Sequence, residues 1–208
     1  TGNPGLGRLC RGIEKERLRI TPNGTLSPLP HPEGLGSALR HPFITTDFSE
    51  AQLELITGIS QSADDCIDEL TNIHRVIYKE IGEELLWGAS MPCILDNDTN
   101  IPIGYYGSSN IGRAKTVYRN GLGNRYGKLM QTISGIHYNF SLPETLWPAI
   151  AVAKEQHLDQ GFQDQSYFHL IRNFRRYSWL LIYLFGASPA VCTSFIRNRE
   201  HDLRALDE

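Results

Sequence analysis

The stretch Gly12-Ile13-Glu14-Lys15-Glu16-Arg17-Leu18-Arg19-Ile20 decides the fold. An extended strand sends successive side chains to opposite faces, so Glu14 and Glu16 project the same way. Two carboxylates on one face repel unless cations sit between them. Two further stretches read as strands. In Gln52-Leu53-Glu54-Leu55-Ile56-Thr57 the two leucines share one face and Glu54 lies on the other. In Ser134-Gly135-Ile136-His137-Tyr138-Asn139-Phe140-Ser141-Leu142, the apolar residues Ile136, Tyr138, Phe140 and Leu142 alternate with Gly135, His137, Asn139 and Ser141. Joined in one antiparallel sheet, these strands put an apolar core on one face and Glu14, Glu16, Glu54 and His137 on the other. Asp47, just before the second strand, leans over the rim.

Hard cations such as Mg²⁺ take oxygen ligands, and imidazole fills a remaining position. Phosphoryl transfer needs divalent ions bridging phosphate oxygens. The pattern therefore predicts a phosphate-handling site. The plainer alternative is a solvated strand in which Glu14, Lys15, Glu16, Arg17 and Arg19 pair with neighbouring charges. For His137 alone it is a hydrogen-bonded, half-buried imidazole.

Around these strands the chain reads as one unit, residues 1–208. The Pro- and Gly-rich stretch from Thr21 to Gly36 predicts a turn and a loop, with Asn23-Gly24 as a tight-turn signal and a hairpin ending near Leu26 or Leu29. From Ser62 to about Trp87, Ile67, Leu70, Ile73, Ile77, Ile81 and Leu85 recur at helical spacing, with Asp64 and Asp65 near the start. This predicts a long amphipathic helix packed on the apolar sheet face. Gly104 to Arg113 is a Gly- and Ser-rich loop leading into a helix that carries Tyr118; it matches no P-loop and is either an ordinary loop or a phosphate cradle. A helical patch is expected around Arg125 to Met130. Asp164 to about Phe185 predicts a helix with a broad apolar face of Tyr167, Leu170, Ile171, Phe174, Tyr177 and Trp179. Arg172, Arg175 and Arg176 lie on the rest of it, as a solvated face or a nucleotide-phosphate contact. The charged tail from Arg197 to Glu208 is expected to fray.

Composition narrows the function classes. With 40% hydrophobic and 21% charged residues in 208, the chain builds a sizeable core and is not disordered. A net charge of −3 without a basic run gives no case for nucleic acid. The start, Thr1 to Gly7, lacks a signal-peptide hydrophobic run, and the seven apolar residues from Trp179 to Phe185 cannot span a bilayer. A cytoplasmic protein without membrane partners is expected. Cys10, Cys66, Cys93 and Cys192 show no C-x-x-C or zinc spacing and read as free, packing thiols.

Four blocks carry a resemblance: Gly12 to Arg19, Thr45 to Thr57, Met130 to Ser141, and Tyr183 to Ala190. In their order and spacing they resemble the bacterial glutamate–cysteine ligase family, over Gly12 to about Phe195. The resemblance implies an α+β fold related to glutamine synthetase, its active site in a curved, mostly antiparallel sheet flanked by helices. It implies an ATP-dependent enzyme that phosphorylates the γ-carboxylate of glutamate and lets the amine of cysteine attack the acyl phosphate, the first step of glutathione biosynthesis. By this likeness Glu14, Glu16, Asp47, Glu54 and His137 hold Mg²⁺ ions that grip the phosphates. Tyr118 helps form the cysteine pocket, with Phe48, Leu122 and Gln131 beside it; from periodicity alone Tyr118 reads as a core aromatic. Family members are more than twice this length, and their second half supplies further metal ligands, an arginine on the transferred phosphate and much of the nucleotide pocket. The length, and a start without Met, give the expectation of an N-terminal part of such an enzyme. The alternatives are a related carboxylate–amine ligase with another amine, or a metal-binding fragment that is inactive without its second half.

Overall fold

The computed structural model describes residues 9–92, 94–95, 100–186, 193–196, 200, 202 and 204. Cys93, Cys192, the start Thr1 to Gly7, most of the tail and the last residues of the fourth resemblance block, Ala187 to Ala190, lie outside them.

In chain order the strands and α-helices are β1 (Cys10–Ile20), β2 (Ile44–Thr46), β3 (Gln52–Ile56), α1 (Ala63–Glu80), β4 (Leu85–Leu86), α2 (Asn110–Tyr126), β5 (Ile136–Ser141), α3 (Trp147–Ala153), α4 (Gln160–Phe185) and α5 (Thr193–Ile196). The result is the expected α+β architecture, with an antiparallel sheet and flanking helices. The long strand β1 is its axis. On one side β1 pairs with β3, which pairs with β2; on the other it pairs with β5 along its first half and with β4 at Arg19 and Ile20. All these pairings are antiparallel. The turn at Asn23-Gly24 forms as its sequence requires, with Gly24 at φ 81° and Ile20 bridged to Leu26.

Each face of this sheet carries its own core. Ile44, Leu53 and Leu55 pack against Leu70, Ile73, Ile77 and Ile81 on and just beyond α1. Ser62 caps α1, its side chain accepting from the Asp65 N–H, and Asp64 and Asp65 occupy the first turn. The helix stops at Glu80, short of the expected Trp87, because Gly82 turns the chain at φ 62°. Leu85 therefore belongs to β4, half exposed, rather than to the helix. On the other face, beyond the carboxylates, Leu18, Ile20, Phe48, Leu95, Ile101 and Leu129 form a second core. The face expected to be wholly polar is thus apolar at one end.

One expectation about packing is corrected, and a second apolar face stands open. The apolar side of β5 is uncovered: Ile136, Tyr138 and Phe140 are 58%, 59% and 44% exposed. The broad apolar face of α4 is likewise open, with Phe162 its buried residue and Arg172, Arg175 and Arg176 exposed. On α4 the start of the face, at Tyr167, is covered by Trp147 of α3, while the rest of it and the apolar side of β5 have no described element over them. Among the described residues no helix is long and apolar enough to cross a membrane. Cys66 is buried and Cys10 half-buried, and both are free thiols.

Candidate active site

Register decides which side chains meet. Glu14 lies opposite His137 across β1 and β5, and Glu16 lies opposite Glu54 across β1 and β3. Directly opposed residues of an antiparallel pair share a face, so all four project from the same side. Asp47 stands in the turn between β2 and β3, its N–H donating to the Gln52 carbonyl at 2.9 Å. The five residues singled out from the sequence are therefore brought together.

Their burial differs. Glu16 is buried, with 8% of its surface accessible, which contradicts the solvated-strand alternative. Its Oε1 lies 3.3 Å from His137 Nε2, and its Oε2 accepts from the Gly135 N–H at 2.8 Å and from Gln52 Nε2 at 3.5 Å. Gly135 makes this approach possible: a Cβ there would stand 3.0 Å from His137 Nε2. Glu14 Oε1 accepts from Asn139 Nδ2 at 2.9 Å.

Electrostatically the cluster is under tension. Burial, followed by the like charges of Asp47, Glu14 and Glu16, pushes the Glu54 carboxyl up to about 7, with His137 opposing. Burial also raises Glu16 and Asp47; the Gly135 N–H works against it at Glu16, and the Arg119 guanidinium at Asp47. Among the described residues no three His, Cys, Asp or Glu side chains stand as a closed metal-ligand set. Glu14 and Glu16 are instead oriented by amide donors.

Asp47 is held through its backbone. Tyr106 Oη donates to the carbonyls of Thr46 at 2.6 Å and Asp47 at 2.8 Å, while Arg119 Nε donates to the same Asp47 carbonyl. The Arg119 guanidinium also stacks on the Tyr106 ring, 4.5 Å from its centroid. These supporting residues went unread in the sequence. Gln52 and Asn139 carried a signal, because alternation puts both on the carboxylate face; Arg119, one position from Tyr118, and Tyr106 carried none.

The candidates for the acceptor pocket are more dispersed. Tyr118 projects from α2 and is 65% exposed, so it is not the core aromatic that periodicity suggested. Phe48 is buried in the second core, where Leu122 packs against its cluster, and Gln131 is half-buried in the short 3-10 turn Leu129–Thr132. That turn replaces the helical patch expected around Arg125 to Met130, because α2 ends at Tyr126 with Gly127 at φ 83°. In the glycine-rich loop, the Gly104 N–H donates to the Phe48 carbonyl and the Tyr105 N–H to Glu50 Oε1. Those two amides serve the loop rather than a phosphate.

The family description "Glutamate-cysteine ligase" matches residues 2–208. The chain belongs to the glutamate–cysteine ligase family. A relative named glutamate–cysteine ligase from Alcanivorax borkumensis is 56% identical over 199 residues, covering 95% of this chain and 38% of that protein. One from Saccharophagus degradans is 55% identical over 204 residues, covering 98% and 38%. Among solved structures, the glutamate–cysteine ligase of Francisella tularensis in complex with AMP superimposes with a TM-score of 0.86 at 43% identity, over 97% of this chain and 39% of that one. The bifunctional glutathione synthetase of Pasteurella multocida gives 0.78 at 36% identity, over 89% and 24%. The chain thus spans about two-fifths of the length of the glutamate–cysteine ligases it matches.

Proposed function

We propose that residues 1–208 act as a single domain that supplies the phosphate-gripping sheet of an ATP-dependent ligase. The ligase joins the γ-carboxylate of glutamate to the amine of cysteine, the first step of glutathione biosynthesis. The observation that carries this reading is the placement of Glu14, Glu16, Glu54 and His137 on one sheet face with Asp47 at its rim. The AMP bound to the Francisella relative supports an adenine nucleotide as co-substrate.

Magnesium fits this donor set on its chemistry. Four carboxylates and an imidazole share one sheet face and its rim; no three of them are gathered into a ligand set as they stand, but burial and mutual repulsion push Glu54 up to about 7, a penalty that a divalent cation among them would remove. Held by Glu14, Glu16, Asp47, Glu54 and His137, it would neutralise charge on the oxygens of the transferring phosphoryl group. The chain's own residues prepare that site. Gly135 and Gln52 aim the Glu16 carboxylate, Asn139 aims Glu14, and Tyr106 with Arg119 fix the backbone of Asp47. The γ-phosphoryl group of ATP passes to the glutamate γ-carboxylate, leaving ADP and a γ-glutamyl phosphate. The cysteine amine then attacks the acyl carbon, phosphate leaves, and the nitrogen loses a proton as the amide forms. By the family likeness Tyr118 would orient the amine, with Leu122, Gln131 and Phe48 as the further candidates for the acceptor pocket that keeps water from the acyl phosphate.

The share of the relatives that is spanned favours turnover only together with the polypeptide that the relatives carry beyond it. Two measurements test the reading. Mn²⁺ titrated into this chain and followed by electron paramagnetic resonance is expected to bind, and Glu54→Gln to weaken binding at least tenfold; no binding by the unaltered chain would sink the metal assignment. A ligase assay with ATP, Mg²⁺, glutamate and a panel of amines, on this chain combined with the remainder of a relative, should yield phosphate and the γ-linked cysteine dipeptide. Preference for another amine would replace cysteine in the proposal.

A further inference from the structure

The Glu16 carboxylate has a neighbour whose hydrogen bonding is incomplete. Gln52 lies opposite Leu18 in the β1 and β3 register, two residues from Glu54, so its side chain stands on the carboxylate face between the acidic cluster and the second core. The residue is fully buried. Its Nε2 donates to Glu16 Oε2 at 3.5 Å and to Ser134 Oγ at 3.4 Å. Its Oε1 is shut away from solvent and has no donor among the described residues. Turning the amide over does not repair this, because it sets the amide oxygen against the Glu16 carboxylate and leaves the nitrogen without an acceptor.

A buried oxygen without a donor is uncommon in a folded chain, and its ordinary complement is a water or an ion. Other buried polar atoms without partners lie away from the cluster: Arg19 Nε and Glu84 Oε1 belong to one ion pair, and Thr46 Oγ1 is on the Leu53 side of the sheet. Gln52 Oε1, by contrast, sits on an amide that touches a residue assigned to the cation. Glutamine carbonyls are ordinary ligands of hard divalent ions. A neutral oxygen also suits a site already crowded with four carboxylates, since it adds a donor without adding charge. We propose that Gln52 Oε1 is a further ligand of the divalent cation, while Nε2 of the same amide holds the Glu16 carboxylate beside it. The inference rests on the metal reading above and adds to it a ligand that carries no charge.

The test needs no turnover. This chain is made by cell-free synthesis with glutamine carrying ¹³C at its side-chain carbonyl, loaded with Mn²⁺, and read by electron–nuclear double resonance. Expected is a ¹³C hyperfine coupling of the size given by a carbonyl whose oxygen is bonded to the metal. Gln52→Met keeps the length of the side chain and removes its oxygen; it should abolish the coupling and weaken Mn²⁺ binding at least tenfold. Gln52→Asn, which also lacks the labelled carbon, assigns the signal if the methionine variant does not fold. Gln131→Met, at the acceptor-pocket candidate, should leave the coupling in place. Bound Mn²⁺ without the coupling means that water alone satisfies Gln52 Oε1, and a coupling that survives the loss of Gln52 belongs to another glutamine; either result overturns this inference and leaves the metal assignment standing. Mn²⁺ that does not bind at all sinks the metal assignment and this inference with it.

Discussion

Glu54 is held where its charge is least comfortable, half-buried beside Asp47, Glu14 and Glu16. Replacing it with Gln keeps the shape and removes the repulsion. After allowance for solvent screening, Glu54→Gln should stabilise the metal-free chain by roughly 1 kcal/mol, raising its melting temperature by about 2–4 °C in a calorimetric scan. Arg19 is the opposite case: fully buried, it bonds Glu84 Oε2 at 2.5 Å and donates to the carbonyls of Leu29, Pro30 and Glu50. Arg19→Ala strands a buried carboxylate and three carbonyls, and should cost about 3–5 kcal/mol in urea unfolding. His31 brings a pH dependence of its own. Burial, then the charges of Arg19 and His41, lower it to about 4 from the ordinary 6.5. Between those values the unfolded chain binds the extra proton, so stability is complete above about pH 6.5 and declines as pH falls towards 4. His31→Gln should flatten the difference in unfolding free energy between pH 7 and pH 5; an unchanged difference would assign the acid sensitivity to other groups.

Helix α2 shows how an element is seated by one residue. Gly112 lies in its first turn, and a Cβ there would fall 2.4 Å from the Tyr106 carbonyl oxygen and 2.9 Å from that of Gly107. Both obstacles are backbone, so they cannot swing aside. Gly112→Ala should therefore destabilise by about 1–3 kcal/mol and loosen the Arg119 contact to Asp47, seen as faster amide exchange at Asp47 and Phe48. The sequence announced the strands better than it announced what surrounds them. Alternation in β1, β3 and β5 was enough to place Glu14, Glu16, Glu54 and His137 on one face, because side-chain period and antiparallel register are local properties. Burial of Arg19 was not legible: Glu84, its ion-pair partner, is 65 residues away, and a charged side chain in an alternating strand looks solvated. Periodicity also carried α1 through Leu85, although Gly82 stood in the sequence as the signal to stop.

At the scale of the whole molecule, the misplaced expectation was that an apolar face is a covered face. Ile136, Tyr138 and Phe140 obey the alternation of a core strand and are nevertheless open, since periodicity reports which side is apolar and says nothing about what lies over it. The order in which the sheet is completed has a consequence of its own. Strand β1 is made early, and 119 residues separate Glu16 from Gly135, the residue that holds its carboxylate. At about 5–20 residues per second of synthesis, roughly 6–24 s pass before β5 leaves the ribosome. Until β5 emerges, β1 can be closed by β3 and, at Arg19 and Ile20, by β4, while the edge from Cys10 to Lys15 stands open to mispairing. Its yield in cells should thus depend on translation speed and on chaperones that shield the waiting edge.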